Sequence, residues 1–495
     1  MKRNAVWGAV WLVGLTGFWL CGPAVAGQNG SGGATPFVPE TEAEPAPMPD
    51  TCYEPAKSAD DSAAKIAAES IAGDSWTDDA LCGTTFEGCC LCGPPGQYWF
   101  RADYLVWWAK GTRVPALFAT SDPANAPQPG TEAFARKGSL ADPDVDVVFG
   151  GRIANRGARQ GYRLQFGYWF DECRVRGIQA DYFDIGGFSD NYDSSVGPNA
   201  NPPLLTRPFT DVTPGSPVAG PNSEKVTYPG VSEGRAVGSI RDSFESAGAA
   251  LRLNMVCCGP CCASNDCCTY MANAAAGTTD CFRLDMIAGY RYYQLGDSVI
   301  VREELSLLGA AFQIEDAFRA LNDYHGGELG LVMQWYRGRW SFEGLAKMAL
   351  GNNHQTVWIN GSTLRTIGAQ TDTASAGILA LDTNIGQYDR DSFVVIPQFG
   401  VEVGYQLTCH LRAFLGYNFL YWAHVTRAAD AIDTSINTNW VPGASGWPVG
   451  GPPNPVPNDP AVRNPERPAY NTAAKPWAQT DYWAQGINVG LELRY

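Results

Sequence analysis

The last fifteen residues of the chain, 481–495, alternate strictly between apolar and polar or small side chains. One face carries Trp483, Ile487, Val489, Leu491, Leu493 and Tyr495, and the other carries Ala484, Gly486, Asn488, Gly490, Glu492 and Arg494. This two-residue period is typical of a β-strand with one apolar face. It continues to an aromatic last residue, as in membrane β-barrels, where the last strand pairs with the first. We therefore expect the terminal strand to pair with a first strand at 98–108.

The same alternation recurs along the chain and predicts ten strands. Short connections follow the second, sixth and eighth strands, whereas longer loops follow the odd ones. This arrangement is that of an all-β protein, a transmembrane up-and-down antiparallel β-barrel with long extracellular loops and short periplasmic turns. Twelve strands are expected if a long loop contains another hairpin, and Pro397 predicts a bulge. The predicted strands are 98–108, 162–170, 175–187, 242–256, 282–292, 329–335, 340–350, 393–407, 411–421 and 483–495.

Composition agrees with a barrel. Aromatic residues make up 12% of the chain and charged residues 17%, with 55 glycines. Many aromatic residues and glycines with few charges favour β-strands with an aromatic girdle over helices. A soluble β-sandwich is the alternative, because its strands also alternate. Such a sandwich should bury its apolar faces without so many Trp and Tyr residues near the strand ends.

Three regions follow from the composition along the chain. Residues 1–26 combine a basic start, an apolar run and a small-residue site at 24–26, which predicts a cleaved signal peptide; an uncleaved anchor is the alternative. Residues 27–96 are rich in Pro, Ala, Ser and acidic residues and predict a disordered periplasmic linker with a cysteine-rich end. The barrel is assigned to 97–495. No later apolar run reaches about 18 residues, so transmembrane helices are not expected.

Several functions are disfavoured by charge and motifs. A net charge of −16 argues against nucleic-acid binding, which needs a basic surface. No phosphate-binding glycine loop stands between a strand and a helix, so no cofactor is predicted. Asp142, Asp144 and Asp146 have the spacing of a calcium loop, but Val147 and Ile153 occupy the positions of its glycine and glutamate. We interpret this segment as a solvated acidic loop, with weak calcium binding as the alternative, and predict no metal site.

Three of the four histidines fall toward the outer ends of predicted strands. These residues are His325, His354 and His424, and an aspartate–histidine hydrolase site could be assembled there. Barrel rims hold histidines without catalysis, however, and no G-x-S-x-G motif occurs. We therefore predict that the protein is not an enzyme, with a rim-located outer-membrane hydrolase as the lesser alternative.

Nearly all cysteines fall at one predicted end of the barrel, before the first strand or between an even strand and the next. Cysteines of exported proteins favour disulfides, although spacing does not reveal their pairing. We expect one group to cross-link to the other, or to a disulfide-linked envelope partner. Zinc binding is the rival interpretation, because C-C-x-x-C-C offers thiolates at ligand-like spacing. The two groups are Cys89, Cys90 and Cys92, and Cys257, Cys258, Cys261, Cys262, Cys267 and Cys268.

The predicted inward positions carry charges of both signs. A ten-stranded barrel is barely wider than one filled by its own side chains, so buried charges should pair. We expect an ion-pair network that fills a narrow, charge-lined lumen; a narrow or gated channel for small solutes is the alternative. The positions are Arg101, Asp103, Arg163, Glu245, Arg283, Asp285, Arg291, Glu328, Glu343, Lys347, Glu402, Arg412, Glu492 and Arg494.

Five segments resemble a known family. They are WFRADYLVWW at 99–108, LDTNIGQYDRDSFVVIPQFG at 381–400, GYQL at 404–407, LRAFLGYNFLYW at 411–422 and YWAQGINVGLELRY at 482–495. Together they are similar to the β-barrel porin family abundant in planctomycete-type bacteria, over roughly residues 97–495. The resemblance implies an outer-membrane location but neither a measured transport activity nor a catalytic motif. The many cysteines exceed what the family pattern requires.

These expectations describe an outer-membrane β-barrel protein, structural or porin-like. Its expected partners are outer-membrane lipid, the barrel-assembly machinery through the C-terminal strand and the disulfide-linked envelope partner already mentioned. Three hypotheses remain: a structural or interaction protein of the cell surface, a diffusive pore for small solutes, and a rim-located enzyme.

Overall fold

The alternating segments form a closed β-wall in the computed structural model. The structure describes residues 91–124, 126–197, 200–258, 267–307, 309–442 and 478–495. Nineteen strands occur in this part of the chain. They are β1 Tyr98–Ala109, β2 Thr112–Arg113, β3 Phe118–Thr120, β4 Asp146–Phe149, β5 Ile153–Ala154, β6 Ala158–Trp169, β7 Arg176–Asp184, β8 Phe188–Asp193, β9 Leu205–Asp211, β10 Gly220–Thr227, β11 Ser232–Cys258, β12 Asp280–Leu307, β13 Ala310–Arg337, β14 Trp340–Ile367, β15 Gln370–Ala374, β16 Gly386–Gln406, β17 Leu411–Val425, β18 Ser435–Ile436 and β19 Thr480–Arg494.

Helices are few and short in the part of the chain that the structure describes. They are α1 Glu132–Arg136 and α2 Cys267–Ala276, with single 3-10 turns at Ala428–Ala431 and Thr438–Trp440. Within the described residues, none of these helices has the length and apolar character needed to cross a membrane.

Ten of the strands close into an antiparallel ring, which confirms the predicted barrel. The order around the ring is β1, β6, β7, β11, β12, β13, β14, β16, β17 and β19, and β19 then pairs with β1. The predicted pairing of the last strand with the first is confirmed, and its register sets Trp99 opposite Arg494 and Trp108 opposite Gln485. The two further strands of this sheet, β8 and β15, pair with β11 and β14 outside the ring, so the ring itself has ten strands. We call the end with the short turns the periplasmic end, as in outer-membrane barrels.

The strands that follow β7 are longer than predicted. Residues 293–328 are expected to form a loop, but β12 continues to Leu307 and β13 starts at Ala310. The start of β11, the end of β14 and the start of β16 also extend beyond their predicted bounds. Because of these extensions, one side of the barrel wall rises well above the membrane-spanning part of the strands.

The reason is an inversion of polarity along each long strand. In the lower part of β12, Leu284 and Met286 point outward while Arg283 and Asp285 are buried inside. In its upper part, Val299 and Val301 are buried inside and Arg302 points outward. Lipid favours apolar side chains outside, and water favours polar ones. The two-residue period therefore continues through the membrane boundary while the apolar face changes side.

A second, five-stranded sheet lies inside the raised wall. It has the order β10, β9, β3, β4, and β18 pairs in parallel with β9. Its side chains share one core with the inner face of the wall, where Phe118, Phe149 and Leu205 meet Phe318 and Val357. We call this sheet, with its connecting loops and the raised wall, the extracellular cap.

Pro397 does not form the predicted bulge. It pairs with Met348 in a continuous ladder between β14 and β16. The ladder between β16 and β17 begins only at Gln398. Pro397 therefore stands just outside the ladder between β16 and β17. A proline, which has no N–H group to donate, is tolerated at such a position.

Candidate functional site: the barrel interior and its two ends

An ion network joins five strands at the periplasmic end of the lumen. Arg101 on β1 donates to Glu343 on β14 at 3.1 Å and to Glu402 on β16. Arg412 on β17 donates to Glu402 at 2.9 Å and to Glu492 on β19 at 3.0 Å. Strands β1 and β14 lie on nearly opposite sides of the ring. The network therefore crosses the lumen rather than following its wall.

A second set of ion pairs involves β1, β6 and the strands β12 to β14. Arg163 bonds to Asp103, Arg283 bonds to Asp285 at 2.7 Å, and Lys347 lies 3.0 Å from Glu328. Arg494 bonds to Glu492 in the first network. Twelve charged residues are expected to line the lumen, and the structure places all of them in ion pairs. They are Arg101, Asp103, Arg163, Arg283, Asp285, Glu328, Glu343, Lys347, Glu402, Arg412, Glu492 and Arg494.

Further charged residues lie on β11 and β12. Arg291, also expected inside, contacts Asp181 at 2.6 Å and Glu328 at 2.7 Å. Glu245 was expected inside but lies on the outer face, where it accepts a hydrogen bond from Tyr182. The inward charges of β11 are Asp242 and Arg252, and Arg252 lies 2.6 Å from Asp285. Small residues at 246–250 follow Glu245 on both faces of the strand, so the alternation there did not reveal which face is inward.

Between these ion pairs a cavity of about 60 Å³ remains, lined by Gln165, Gln179 and Asn418 among the charged groups. One water needs roughly 10–15 Å³ of such space, so the cavity has room for only a few molecules.

A layer of aromatic rings lies above the cavity. Phe244 on β11 contacts Tyr482 on β19 at 5.1 Å and Trp422 on β17 at 6.3 Å between ring centroids. Tyr293 stacks on Phe244 at 5.9 Å and meets Tyr324 at 5.7 Å. Since β11 faces β17 and β19 across the ring, these contacts span the lumen. We call this set, together with Trp107 and Phe183, the aromatic layer; all seven side chains are buried.

Above the aromatic layer the interior is again charged. Arg159 donates to Asp242 at 2.6 Å, and Arg427 donates to Asp297 at 2.6 Å. Burial raises the pKa of Asp297 although Arg427 opposes the shift. These pairs separate the aromatic layer from the core of the extracellular cap.

The periplasmic end is covered by the segment 91–97 and by α2. Cys92 forms a disulfide with Cys281 at the start of β12, which lies across the ring from β1. The intervening Pro94 accepts a hydrogen bond from Arg174 at 2.7 Å. On α2, Tyr270 is buried. We call the segment 91–97 together with α2 the periplasmic lid.

The electrostatics of the periplasmic lid follow from burial. The pKa of Tyr270 is raised by burial, with Tyr336 as the next cause. The pKa of Arg174 is lowered to about 10 by burial and by its neighbours Arg494 and Arg283.

The pairing of Cys92 differs from the expectation that it joins the 257–268 group. Cys281 is the first inward-facing residue of β12 and faces the segment 91–97, which crosses the periplasmic end of the lumen. This position explains why Cys92 pairs with Cys281. Cys173, Cys258 and Cys409 are disulfide-bonded as well, and Cys257 is buried. Cys89, Cys90, Cys261 and Cys262 lie outside the described residues, as do the side chains of Cys267 and Cys268.

The remaining sequence candidates do not converge on a reactive centre. His325 and His354 lie on the outer face of the wall, and His354 bonds to Asp391 at 3.0 Å. Asp142 is buried and accepts hydrogen bonds from Ser121 and Gly138, both at 2.7 Å, so it organises its own loop. Among the described residues, no group of three or more His, Cys, Asp or Glu side chains is arranged to hold a metal ion.

The sequence did not identify an acidic cluster in the extracellular cap. Arg207 on β9 donates to Glu303 on β12 at 3.3 Å and to Asp316 on β13 at 2.5 Å. Asp316 also accepts the backbone N–H groups of residues 378 and 380 at 3.1 and 2.8 Å. Burial raises the pKa of Glu303 to about 8, and it also raises the pKa of Glu224. Glu224 lies opposite Arg207 in the register of β9 and β10, but the Arg207 side chain is bonded to Glu303 and Asp316 instead.

Comparison with known proteins gives one family. Residues 99–495 match the model described as "Putative beta barrel porin-7 (BBP7)". No curated protein matches the chain.

Solved structures of outer-membrane barrels resemble the chain only distantly. The Escherichia coli outer membrane protease OmpT has 9% identity and a TM-score of 0.33, covering 82% of this chain and 99% of its own. The Pseudomonas putida toluene transporter TodX has 10% identity and a TM-score of 0.19, covering 81% and 91%. A Pseudomonas aeruginosa FadL homologue has 9% identity and a TM-score of 0.20, covering 80% and 90%. At such values nothing about activity follows.

Proposed function

The chain belongs to the family described as putative beta barrel porin-7, and from this membership and the geometry of its interior we propose a sealed, structural outer-membrane barrel. Its role is to hold the extracellular cap at the cell surface and to anchor it through the periplasmic lid. The observation that carries the proposal is the aromatic layer, because its rings meet across the lumen.

The charged groups on both sides of the aromatic layer support the same conclusion. A water-filled channel would leave charges hydrated, whereas Arg101, Arg291 and Arg427 are buried in direct contact with carboxylates. Such pairs are costly to open, since removing one partner of a buried pair costs about 3–5 kcal/mol. Thermal opening of a continuous path through the two layers of ion pairs and the aromatic layer between them is therefore rare.

We extend the proposal to partners and chemistry. The protein acts without catalysis, the C-terminal strand is recognised by the barrel-assembly machinery, and the cysteine-rich periplasmic end forms a disulfide with an envelope partner. Non-reducing and reducing gels of envelope extracts test the last point, because a linked partner gives a heavier band that only the reductant removes.

Planar-bilayer conductance tests the sealed lumen. The purified protein, shown to be folded by heat-modifiable gel mobility, should give no steps in several salts. The variant Phe244→Ala/Trp422→Ala/Tyr482→Ala removes three rings that meet across the lumen and should raise ion leakage. A matched control, Phe100→Ala/Tyr104→Ala/Leu491→Ala, removes outward side chains and should stay closed. Stable single-channel steps from the unmodified protein would contradict the proposal.

A further inference from the structure

The extracellular cap contains a cavity that the sealed barrel does not use. It has a volume of about 220 Å³ and opens between the inner sheet and the raised wall. Most of its lining is apolar, from Phe209, Leu305, Leu307, Phe312 and Ile378. Leu307 and Phe312 are only partly buried, so the cavity borders the outer surface. For comparison, an apolar cavity of about 150 Å³ holds benzene.

One carboxylate, that of Glu224, stands in this apolar lining. Within the described part of the chain it accepts no hydrogen bond, although its residue is half-buried. An unpaired carboxylate in such surroundings is costly to keep charged, and a cationic group beside it would relieve that cost.

Of the described residues, those in the layer beneath the cavity leave no cation free to bind Glu224. Arg207, Glu303 and Asp316 are each two residues from a cavity-lining side chain on the same strand, namely Phe209, Leu305 and Ile314. The four ionisable groups are three carboxylates and one guanidinium, and the guanidinium is already bonded to Glu303 and Asp316. One Glu303 oxygen, Oε2, is buried without a hydrogen-bond partner among the described residues.

We propose that this cavity binds a small primary amine with an aromatic or aliphatic body, its ammonium group on Glu224 and its hydrocarbon against Phe209, Leu305 and Phe312. Both halves of the ligand are required by the lining. A bare metal ion would leave the apolar wall in contact with water, and an anion would face the carboxylate of Glu224.

Phenethylamine is a suitable probe because it consists of a benzene ring with an ethylammonium arm, and the whole molecule is somewhat larger than benzene. Isothermal titration of the full-length protein in detergent should give saturable one-to-one binding. Glu224→Gln should weaken that binding about tenfold or more, because a charged hydrogen bond is lost. The control Glu304→Gln removes the same charge from the outer face of β12 and should bind as the unmodified protein does.

Two further measurements separate charge from shape. The neutral 2-phenylethanol should bind weakly and equally to the unmodified protein and to Glu224→Gln. Leu307→Trp fills the cavity and should abolish binding of both compounds while heat-modifiable mobility stays unchanged. The proposal is overturned if phenethylamine shows no saturable binding, or if Glu224→Gln and Glu304→Gln weaken it equally.

Discussion

Replacing Arg207 by methionine tests whether the acidic cluster holds the extracellular cap together. Arg207 is 1% exposed, and its partners Glu303 and Asp316 are equally buried. Methionine keeps most of the apolar volume but leaves both carboxylates without their cation. Breaking a buried ion pair in this way costs about 3–5 kcal/mol.

Two features of the cluster place the expected loss at the lower end of that range. Asp316 keeps the backbone N–H groups of residues 378 and 380 as donors. Glu303, whose pKa burial raises to about 8, takes up a proton instead of remaining charged. We therefore expect a loss of about 3 kcal/mol, which corresponds to roughly 100-fold faster local opening.

Hydrogen exchange measured by mass spectrometry reads this opening strand by strand, because local stability differs across a structure. Amides of β9 and of residues 376–381 should exchange faster in Arg207→Met, and those of β1 and β19 should not change. The control is Arg302→Met, which removes an exposed arginine 2.7 Å from Glu315 on the outer face. Surface pairs are worth at most about 1 kcal/mol, so its effect should be small. Equal exchange of β9 in both variants would refute the reasoning.

Three further predictions follow from the ionisable groups, the disulfide and the leader. Because burial raises the folded-state pKa of Glu303 to about 8, the extracellular cap should lose stability as pH rises from about 5 to 8. Hydrogen exchange of the β9 amides, corrected for intrinsic rates, should accelerate over this range. The variant Glu303→Gln should make this exchange less dependent on pH. Cys92→Ser/Cys281→Ser should expose the segment 91–97 to protease while the barrel keeps its heat-modifiable mobility; unchanged cleavage would argue against a disulfide-held lid. Mass spectrometry of the exported protein should find an N-terminus at Gly27, and an intact leader would contradict cleavage.

The sequence predicted the membrane part of the barrel because one physical rule governs it throughout. Along β19, Ile487, Val489 and Leu491 are exposed outward, whereas Asn488 and Glu492 are buried. Lipid on one side and a packed polar interior on the other impose this alternation in every crossing strand. Strand number, order and closing register follow from it.

The extracellular cap could not be predicted in the same way because its contacts are between loops and wall. The aromatic layer in the lumen presents the same difficulty. Phe244, Tyr293 and Trp422 look like ordinary strand residues in their own segments, and only the closed ring brings them together across the lumen. The pairing of Arg207 with Glu303 and Asp316 likewise joins residues about a hundred positions apart. No local period carries that information.

The inversion of polarity along β12 also fixes where the bilayer ends. The segment with outward apolar or aromatic side chains runs from Phe282 to Tyr292, and beyond it the outward residues include Gln294, Ser298 and Arg302. About eleven residues at roughly 3.4 Å each, tilted by about 45°, rise close to 25 Å, the height of the apolar band of outer-membrane barrels. The aromatic layer, with Tyr293, therefore lies at the level where the outer face turns from lipid to water. Below that level the interior is filled by ion pairs, and above it by the core of the cap. A solute entering from either side would have to break buried pairs before it reached the rings.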